Sequence, residues 1–180
     1  MSTPKPPDPA KLVVSVFMKD KGLFDRIFTG LEKIGGPVDI MSKWLDFNFT
    51  DYYYKEMGVP LFRRLVAFKP MIEQEQLASI KLRTNAIENN YLEDGQRRVN
   101  IDPGYLLASR FILATGKDYS HRVYIGRQIY ADLTLMWSKQ GFKTLDWTYP
   151  DYASEAVFRF LGQVREKYRL DLKSYKRKPL

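Results

Sequence analysis

The sequence contains no cysteine and a single histidine, His121. Without cysteine the chain can form no disulfide, no thiolate nucleophile and no Cys-ligated metal or cluster site. A single histidine also excludes a His-rich zinc site, so any bound metal ion would need carboxylate ligands. The sequence points to no particular cofactor, and the absence of cysteine suits a reducing, cytoplasmic location.

Long apolar runs are also missing. No stretch reaches the roughly 20 apolar residues that a membrane-spanning helix needs, and the N-terminus has no apolar run that could form a signal peptide. Four of the first ten residues are proline, which predicts a flexible, extended leader over residues 1–11. We therefore expect a cytoplasmic protein without a membrane partner.

Glycine-rich phosphate loops are absent as well. The stretch from Ala114 to Asp118, ATGKD, resembles only the end of a Walker A loop. Phe111 stands where the first glycine would be, and Asp118 replaces the hydroxyl residue that would hold magnesium. Neither G-x-G-x-x-G nor G-x-S-x-G occurs in the chain, so these residues do not indicate a P-loop, a dinucleotide fold or a hydrolase nucleophile elbow.

The 180 residues, of which 44% are hydrophobic, are enough to form one buried core. We expect a single domain over residues 12–168, followed by a basic tail over residues 169–180. Seven basic and two acidic residues lie from Arg165 to Leu180, so most of the net charge of +8 is at this end. A net positive charge favours nucleic-acid binding in general. Here the excess of basic residues lies in the tail, and the domain itself is nearly neutral.

Hydrophobic periodicity predicts an α+β fold. The predicted strands and helices alternate as βαββαβ, a ferredoxin-like core with helices on one face of a sheet. The elements are a strand at 12–18, a helix at 23–34, strands within 38–48 and 61–69, a helix at 72–92 and a strand at 97–101. Extending this core are a further helix, a β-hairpin and a C-terminal helix at 153–167.

The further helix is predicted from Asp102-Pro103-Gly104, where an N-cap acceptor precedes a proline at the first helical position. It would run to Ala114 and end at Gly116. A strand is the alternative, because the same residues are also compatible with β-structure. The hairpin is predicted around Gly126-Arg127-Gln128, between two segments of period-two hydrophobicity.

The densest mixture of charged and aromatic residues lies between Arg97 and Trp137. It predicts a binding site for a phosphate-bearing or otherwise anionic small ligand, such as a nucleotide. The charges would come from Lys117, His121, Arg122 and Arg127, with Tyr105 and Tyr130 packing the ligand. The competing interpretation is structural, with His121 beginning a strand and simply hydrogen-bonded there.

Two other functions are open at this point. A metal-assisted phosphoester hydrolase would use Asp102, Asp132 and His121, although helix capping explains Asp102 and a solvated strand face explains Asp132. A protein or RNA interaction module would use the basic tail together with the aromatic-rich stretches 44–54 and 147–152.

Four phrases carry a resemblance to a known family. They are TDYYYKEMG (50–58), NIDPGYLLASRFILATGKDYSHRVYIG (100–126), IYADLTL (129–135) and TYPDY (148–152). With these phrases the chain resembles an uncharacterised prokaryotic family of domains of unknown function, family 4416, over nearly its whole length except the leader and the tail. Some members carry an automatic GTP-binding label, but neither a Walker A loop nor an N-K-x-D guanine motif is present here.

Overall fold

A computed structural model describes residues 1–176, and residues 177–180 of the predicted basic tail lie outside the described part. The strands are β1 (Ala10–Met18), β2 (Val38–Met41), β3 (Leu45–Asp46), β4 (Phe62–Ile72), β5 (Leu92–Glu93), β6 (Gln96–Arg97), β7 (Val99–Leu107), β8 (Arg110–Thr115), β9 (Arg122–Tyr124), β10 (Tyr130–Ser138) and β11 (Gly141–Lys143). The helices are α1 (Phe24–Gly35), α2 (Tyr54–Met57), α3 (Leu77–Asn89) and α4 (Glu155–Lys176), with short 3-10 helices at Lys21–Leu23, Gln74–Gln76 and Pro150–Tyr152.

One antiparallel sheet organises the chain. Its strands follow the order β11, β10, β8, β7, β1, β4, β2, while β3 also pairs with β4 and β9 also pairs with β10. Strands β5 and β6 form a separate hairpin. The combination of helices with an antiparallel sheet confirms the predicted α+β class. No helix within residues 1–176 is both long and apolar enough to cross a lipid bilayer.

Strand β1 lies at the centre of the sheet, and all nine of its residues are buried. Successive side chains of a strand point to opposite faces. Leu12 faces α1, since a Cβ atom added to Gly35 would lie 2.9 Å from it, and Ile87 of α3 packs beside α1 at Gly30. Lys11 faces α4, where its ammonium contacts Asp171. Helices α1 and α3 therefore lie on one face of the sheet, and α4 covers the other face.

The predicted helix from Asp102 to Ala114 is wrong, and the strand alternative is correct. These residues form the antiparallel pair β7 and β8, in which Leu107 lies opposite Arg110 and Gly104 opposite Leu113. Both strands are buried on both faces, so their apolar residues do not alternate with polar ones. Asp102 accordingly lies within β7 and does not cap a helix.

Strands β7 and β8 separate beyond Gly104. The next position toward the start of β7 is Pro103, which has no N–H to donate to a neighbouring strand. Ile101, whose backbone groups also face away from β1, is satisfied by α3 instead: its N–H donates to Glu88 and its C=O accepts from the Lys81 ammonium at 2.8 Å. The sheet therefore has a gap beside Asp102.

Other boundaries differ in smaller ways. The predicted hairpin is confirmed, with Tyr124 opposite Tyr130 and positive φ angles of 94°, 56° and 61° at Gly126, Arg127 and Gln128. Strand β4 continues through Pro70 to Ile72, past its predicted end. The C-terminal helix continues to Lys176, so residues 169–176 of the predicted tail are helical.

Candidate functional site

The predicted cationic cluster forms in part, at the start of the β9 hairpin strand. The Arg122 Nε atom donates to Asp132 Oδ2 at 2.9 Å, and His121 Nε2 lies 3.3 Å from the same oxygen. His121 precedes β9, so both side chains can reach one carboxylate. Asp132 is only 5% exposed, which corrects its predicted place on a solvated face. Arg122 is therefore neutralised by a buried partner.

An aromatic ladder extends from His121. The imidazole stacks on Trp147, with ring centroids 5.0 Å apart, and on Tyr119 at 6.1 Å. The indole N–H of Trp147 donates to the Leu133 carbonyl oxygen at 2.9 Å, which fixes the ring. Tyr119 and Trp147 are exposed, so the two ends of the ladder present aromatic surface to the outside.

Lys117 contacts both Arg122 and Tyr52. Its ammonium is 3.2 Å from the Tyr52 hydroxyl and 4.8 Å from the centre of that ring. Its carbonyl oxygen accepts from Arg122 at 3.0 Å, and its N–H donates to Thr115 at 3.2 Å. Within residues 1–176 no carboxylate pairs with Lys117, so its charge is not neutralised by the protein.

The other predicted ligand residues lie elsewhere. Arg127 lines an open depression on the α3 side of the sheet, together with Leu82, Asn85 and Gln128. Tyr105 is 7% exposed in the core, opposite Leu12 of β1 and Ile112 of β8, so it is not available to a ligand. Tyr130 packs edge-on against Tyr124 at the hairpin, with ring centroids 5.4 Å apart. The predicted set is therefore divided among three places.

Asp102 and Asp132 do not meet. Asp132 of β10 lies opposite Leu113 of β8, and Leu113 lies opposite Gly104 of β7. Asp102 is therefore two strands across from Asp132 and two residues further along β7, which separates their Cα atoms by about 12 Å. In the described chain no group of three or more Asp, Glu or His residues could hold a metal ion. The geometry does not support the shared-metal alternative.

A buried polar cluster, which the sequence did not indicate, lies next to this region. The guanidinium of Arg63 lies between the rings of Phe47 and Tyr152, at 4.7 and 4.6 Å from their centres, and is bonded to Asp151. Arg63 is 2% exposed. In the sequence this cluster is marked only by an arginine inside an apolar strand. The partner of Arg63, Asp151, is 88 residues away in the chain.

Three buried atoms of this cluster have no protein hydrogen-bond partner within residues 1–176: Ser15 Oγ, Arg63 Nε and Tyr152 OH. The Ser15 and Tyr152 hydroxyls lie near each other without a hydrogen bond of ordinary geometry. Burial raises the pKa of the Tyr152 hydroxyl, which therefore stays protonated. Leaving a buried polar group unsatisfied costs about 1–3 kcal/mol, so such a group calls for an explanation, and a binding or catalytic role is one.

A chain of hydrogen bonds leads from α2 to Asp102. Arg97 makes a two-point contact with Glu56, at 2.6 and 2.7 Å, and donates to Asn100 at 2.7 Å. Asn100 in turn donates to Asp102 Oδ2 at 2.6 Å. The hydrogen bond with Arg97 lowers the pKa of the Glu56 carboxyl, which stays ionised at neutral pH. The Asp102 carboxylate is thus held in a defined orientation.

Tyr53 connects the polar cluster with Lys117. Its ring packs edge-on against Tyr52 at 4.9 Å. Burial, and next the nearby Asp102 carboxylate, raise the pKa of its hydroxyl, and Tyr149 lies close enough to contribute. Tyr149 accepts from Arg122 at 3.4 Å. We name this group the tyrosine site; its members are Tyr52, Tyr53, Asp102, Lys117 and Tyr149.

The tyrosine site draws on three of the four phrases that carry the family resemblance, at 50–58, 100–126 and 148–152. Comparison with curated proteins and comparison with solved structures each gave no match. The model of a family described as a domain of unknown function, DUF4416, matches residues 8–168. The chain therefore belongs to the DUF4416 family.

Proposed function

We propose that this protein binds an anionic small ligand that carries a ring, such as a nucleotide, at the tyrosine site. The observation that carries the proposal is the ammonium group of Lys117, which has no carboxylate partner in the described chain and lies against the exposed ring of Tyr52. Arg122 contributes little charge, because Asp132 neutralises it. Lys117 is thus the group that would bind a phosphate or carboxylate of the ligand.

Exposed aromatic side chains at Lys117 and at the neighbouring Arg122 and His121 support the proposal that the ligand carries a ring. Exposed fractions are 63% for Tyr52, 52% for Tyr149, 56% for Tyr119 and 38% for Trp147. Exposed aromatic side chains offer flat faces on which a base or sugar stacks, and one stacked base contributes about 1–3 kcal/mol. Because Tyr119 and Trp147 are held in a ladder by His121, little side-chain entropy is lost when a ligand stacks on them.

Calorimetric titration with nucleotides and other phosphorylated metabolites at low salt tests the proposal. We expect Lys117→Ala to weaken binding about ten- to a hundredfold, since a hydrogen bond from a charged donor is worth about 1.5–3 kcal/mol. Lys139→Ala is the matched control, because Lys139 is exposed in the turn between β10 and β11. Absence of binding by the whole panel, or equal affinity of the two variants, would overturn the proposal.

Fluorescence gives a second, independent measurement. The chain has three tryptophans, and of these Trp147 lies at the end of the aromatic ladder. A base stacked on its indole would quench the Trp147 emission, and the quenching should be lost in Trp147→Phe. Quenching that persists in this variant would place the ligand next to another tryptophan and contradict the site.

We also infer that β7, β1, β4 and β2 form a ferredoxin-like unit. Support comes from the strand order, with α1 connecting β1 to β2 and α3 connecting β4 to β7, and from antiparallel pairing throughout. Strands β8 to β11 would then be an extension on one edge. A crystal structure in which β1 lacks β4 and β7 as its two neighbours would contradict this assignment.

A further inference from the structure

We infer that the ligand of the tyrosine site carries a vicinal diol, as a ribose does, and that the Asp102 carboxylate accepts hydrogen bonds from it. This inference rests on the proposed function and names the class of ligand more closely. A diol presents two O–H donors side by side, and an ionised carboxylate presents two oxygens that only accept. Their pairing is therefore complementary.

Asp102 has acceptor capacity left. A carboxylate has about four lone-pair positions. Within residues 1–176 the Asp102 oxygens accept from Asn100 at 2.6 Å and from Lys81 at 3.3 Å. The side chain is 28% exposed, so solvent and a ligand can reach the remaining positions.

Asp102 remains partly exposed although Glu88 and Lys81 of α3 fill the edge of β7 beside it. Pairing of β7 with β8 stops at Gly104 and Leu113.

A series of contacts connects Asp102 with Lys117. Arg97, which donates to Asn100 beside Asp102, lies 5.9 Å from the centre of the Tyr53 ring. Tyr53 in turn packs against Tyr52, the ring that Lys117 contacts.

Hydrogen-bonding capacity separates the two ends of the ligand. Lys81, 3.3 Å away, offsets part of the charge of Asp102, but an ionised phosphate only accepts hydrogen bonds and so has no donor for this carboxylate. Hydroxyl groups can donate to Asp102, and the phosphate is attracted to the ammonium of Lys117. The arrangement thus favours a molecule with its anionic group at Lys117 and its hydroxyl groups at Asp102.

Titration with adenosine 5′-monophosphate and with 2′-deoxyadenosine 5′-monophosphate tests the inference on the unaltered protein. We expect the ribonucleotide to bind about ten- to a hundredfold more tightly, since the deoxy compound lacks one hydrogen bond to a charged acceptor. Asp102→Asn keeps the shape of the side chain and should remove this preference. Asp46→Asn, at an exposed aspartate of β3, should retain it.

The outcomes separate the two proposals. If both nucleotides bind equally well and Lys117→Ala weakens both, the diol is overturned while the proposed function stands. If the ribonucleotide preference survives in Asp102→Asn, the assignment to Asp102 is overturned. If neither nucleotide nor any other phosphorylated compound binds, both proposals fail together.

Discussion

At Gly104 the backbones of β7 and β8 leave no room for a side chain. A Cβ atom at this position would lie 2.3 Å from the Ile112 carbonyl oxygen, a backbone atom that cannot turn away. We therefore expect Gly104→Ala to force the strands apart and to lower the free energy of unfolding by about 2–3 kcal/mol. Urea denaturation followed by circular dichroism would measure the loss.

A second glycine provides the comparison. Gly162 lies inside α4, and a Cβ atom there would meet nothing within 4 Å. Gly162→Ala should stabilise the protein by about 0.5–1 kcal/mol, because alanine loses less backbone entropy in a helix. Equal effects of the two substitutions would show that the contact with Ile112 is not what requires glycine at position 104.

Among the elements, α3 acts as the lateral partner of β7 where β8 is missing. Glu88 is 7% exposed and accepts from the Ile101 N–H. Burial raises the pKa of the Glu88 carboxyl, although Lys81 opposes this. With a raised pKa the folded state binds more protons than the unfolded state, so this group lowers stability as pH rises above the usual glutamate pKa of about 4.3.

Glu88→Gln keeps an acceptor for Ile101 and removes the cost of a buried charge. We expect the variant to match the parent protein near pH 4 and to become progressively more stable than the parent as pH rises from there toward 7. Chemical denaturation at several pH values would measure the difference. Glu75→Gln, at an exposed position of the same region, should show no such trend. If the stability difference between Glu88→Gln and the parent does not change with pH, the raised pKa of Glu88 is contradicted.

The elements also show where sequence reasoning succeeds. Helix α1 and the β9 hairpin each have one buried and one solvent-exposed side, so the spacing of their hydrophobic residues predicts the type of element. Strands β7 and β8 are buried on both faces, which removes the alternation that distinguishes a strand from a helix. Asp102-Pro103-Gly104 then has the pattern of a helix start, although Pro103 instead marks the end of the β7 and β8 ladder.

At the scale of the whole molecule, the limit on predicting the site was set by contacts between distant segments. Lys117 and Arg122 were predicted from a local cluster, and the structure brings them together. Their aromatic neighbours Tyr52 and Tyr149 are 65 and 27 residues away in the chain. The Arg63 pair with Asp151 is similarly remote, and no pattern along one sequence specifies such a pairing.

Lys11 connects three distant parts of the molecule. Its ammonium, 0% exposed, lies 2.9 Å from Asp39 of β2 and 2.7 Å from Asp171 of α4. Burial raises the pKa of Asp171, but hydrogen bonds from Lys11 and Lys167 outweigh it and lower the pKa overall. A lowered carboxyl pKa contributes stability above the usual aspartate pKa, and that stability is lost as pH falls.

Lys11→Met keeps the apolar stem and leaves Lys167, which is partly exposed, as the cation beside Asp39 and Asp171. Removing one partner of a buried ion pair costs about 3–5 kcal/mol, and we expect a loss below this range at pH 7 because Lys167 compensates in part. The loss should shrink at pH 4 to 5, because the carboxylates can then be protonated. Lys43→Met, at an exposed position, should change little. A loss for Lys11→Met that is independent of pH would mean that packing of the lysine stem, and not its charge, holds α4 on the sheet.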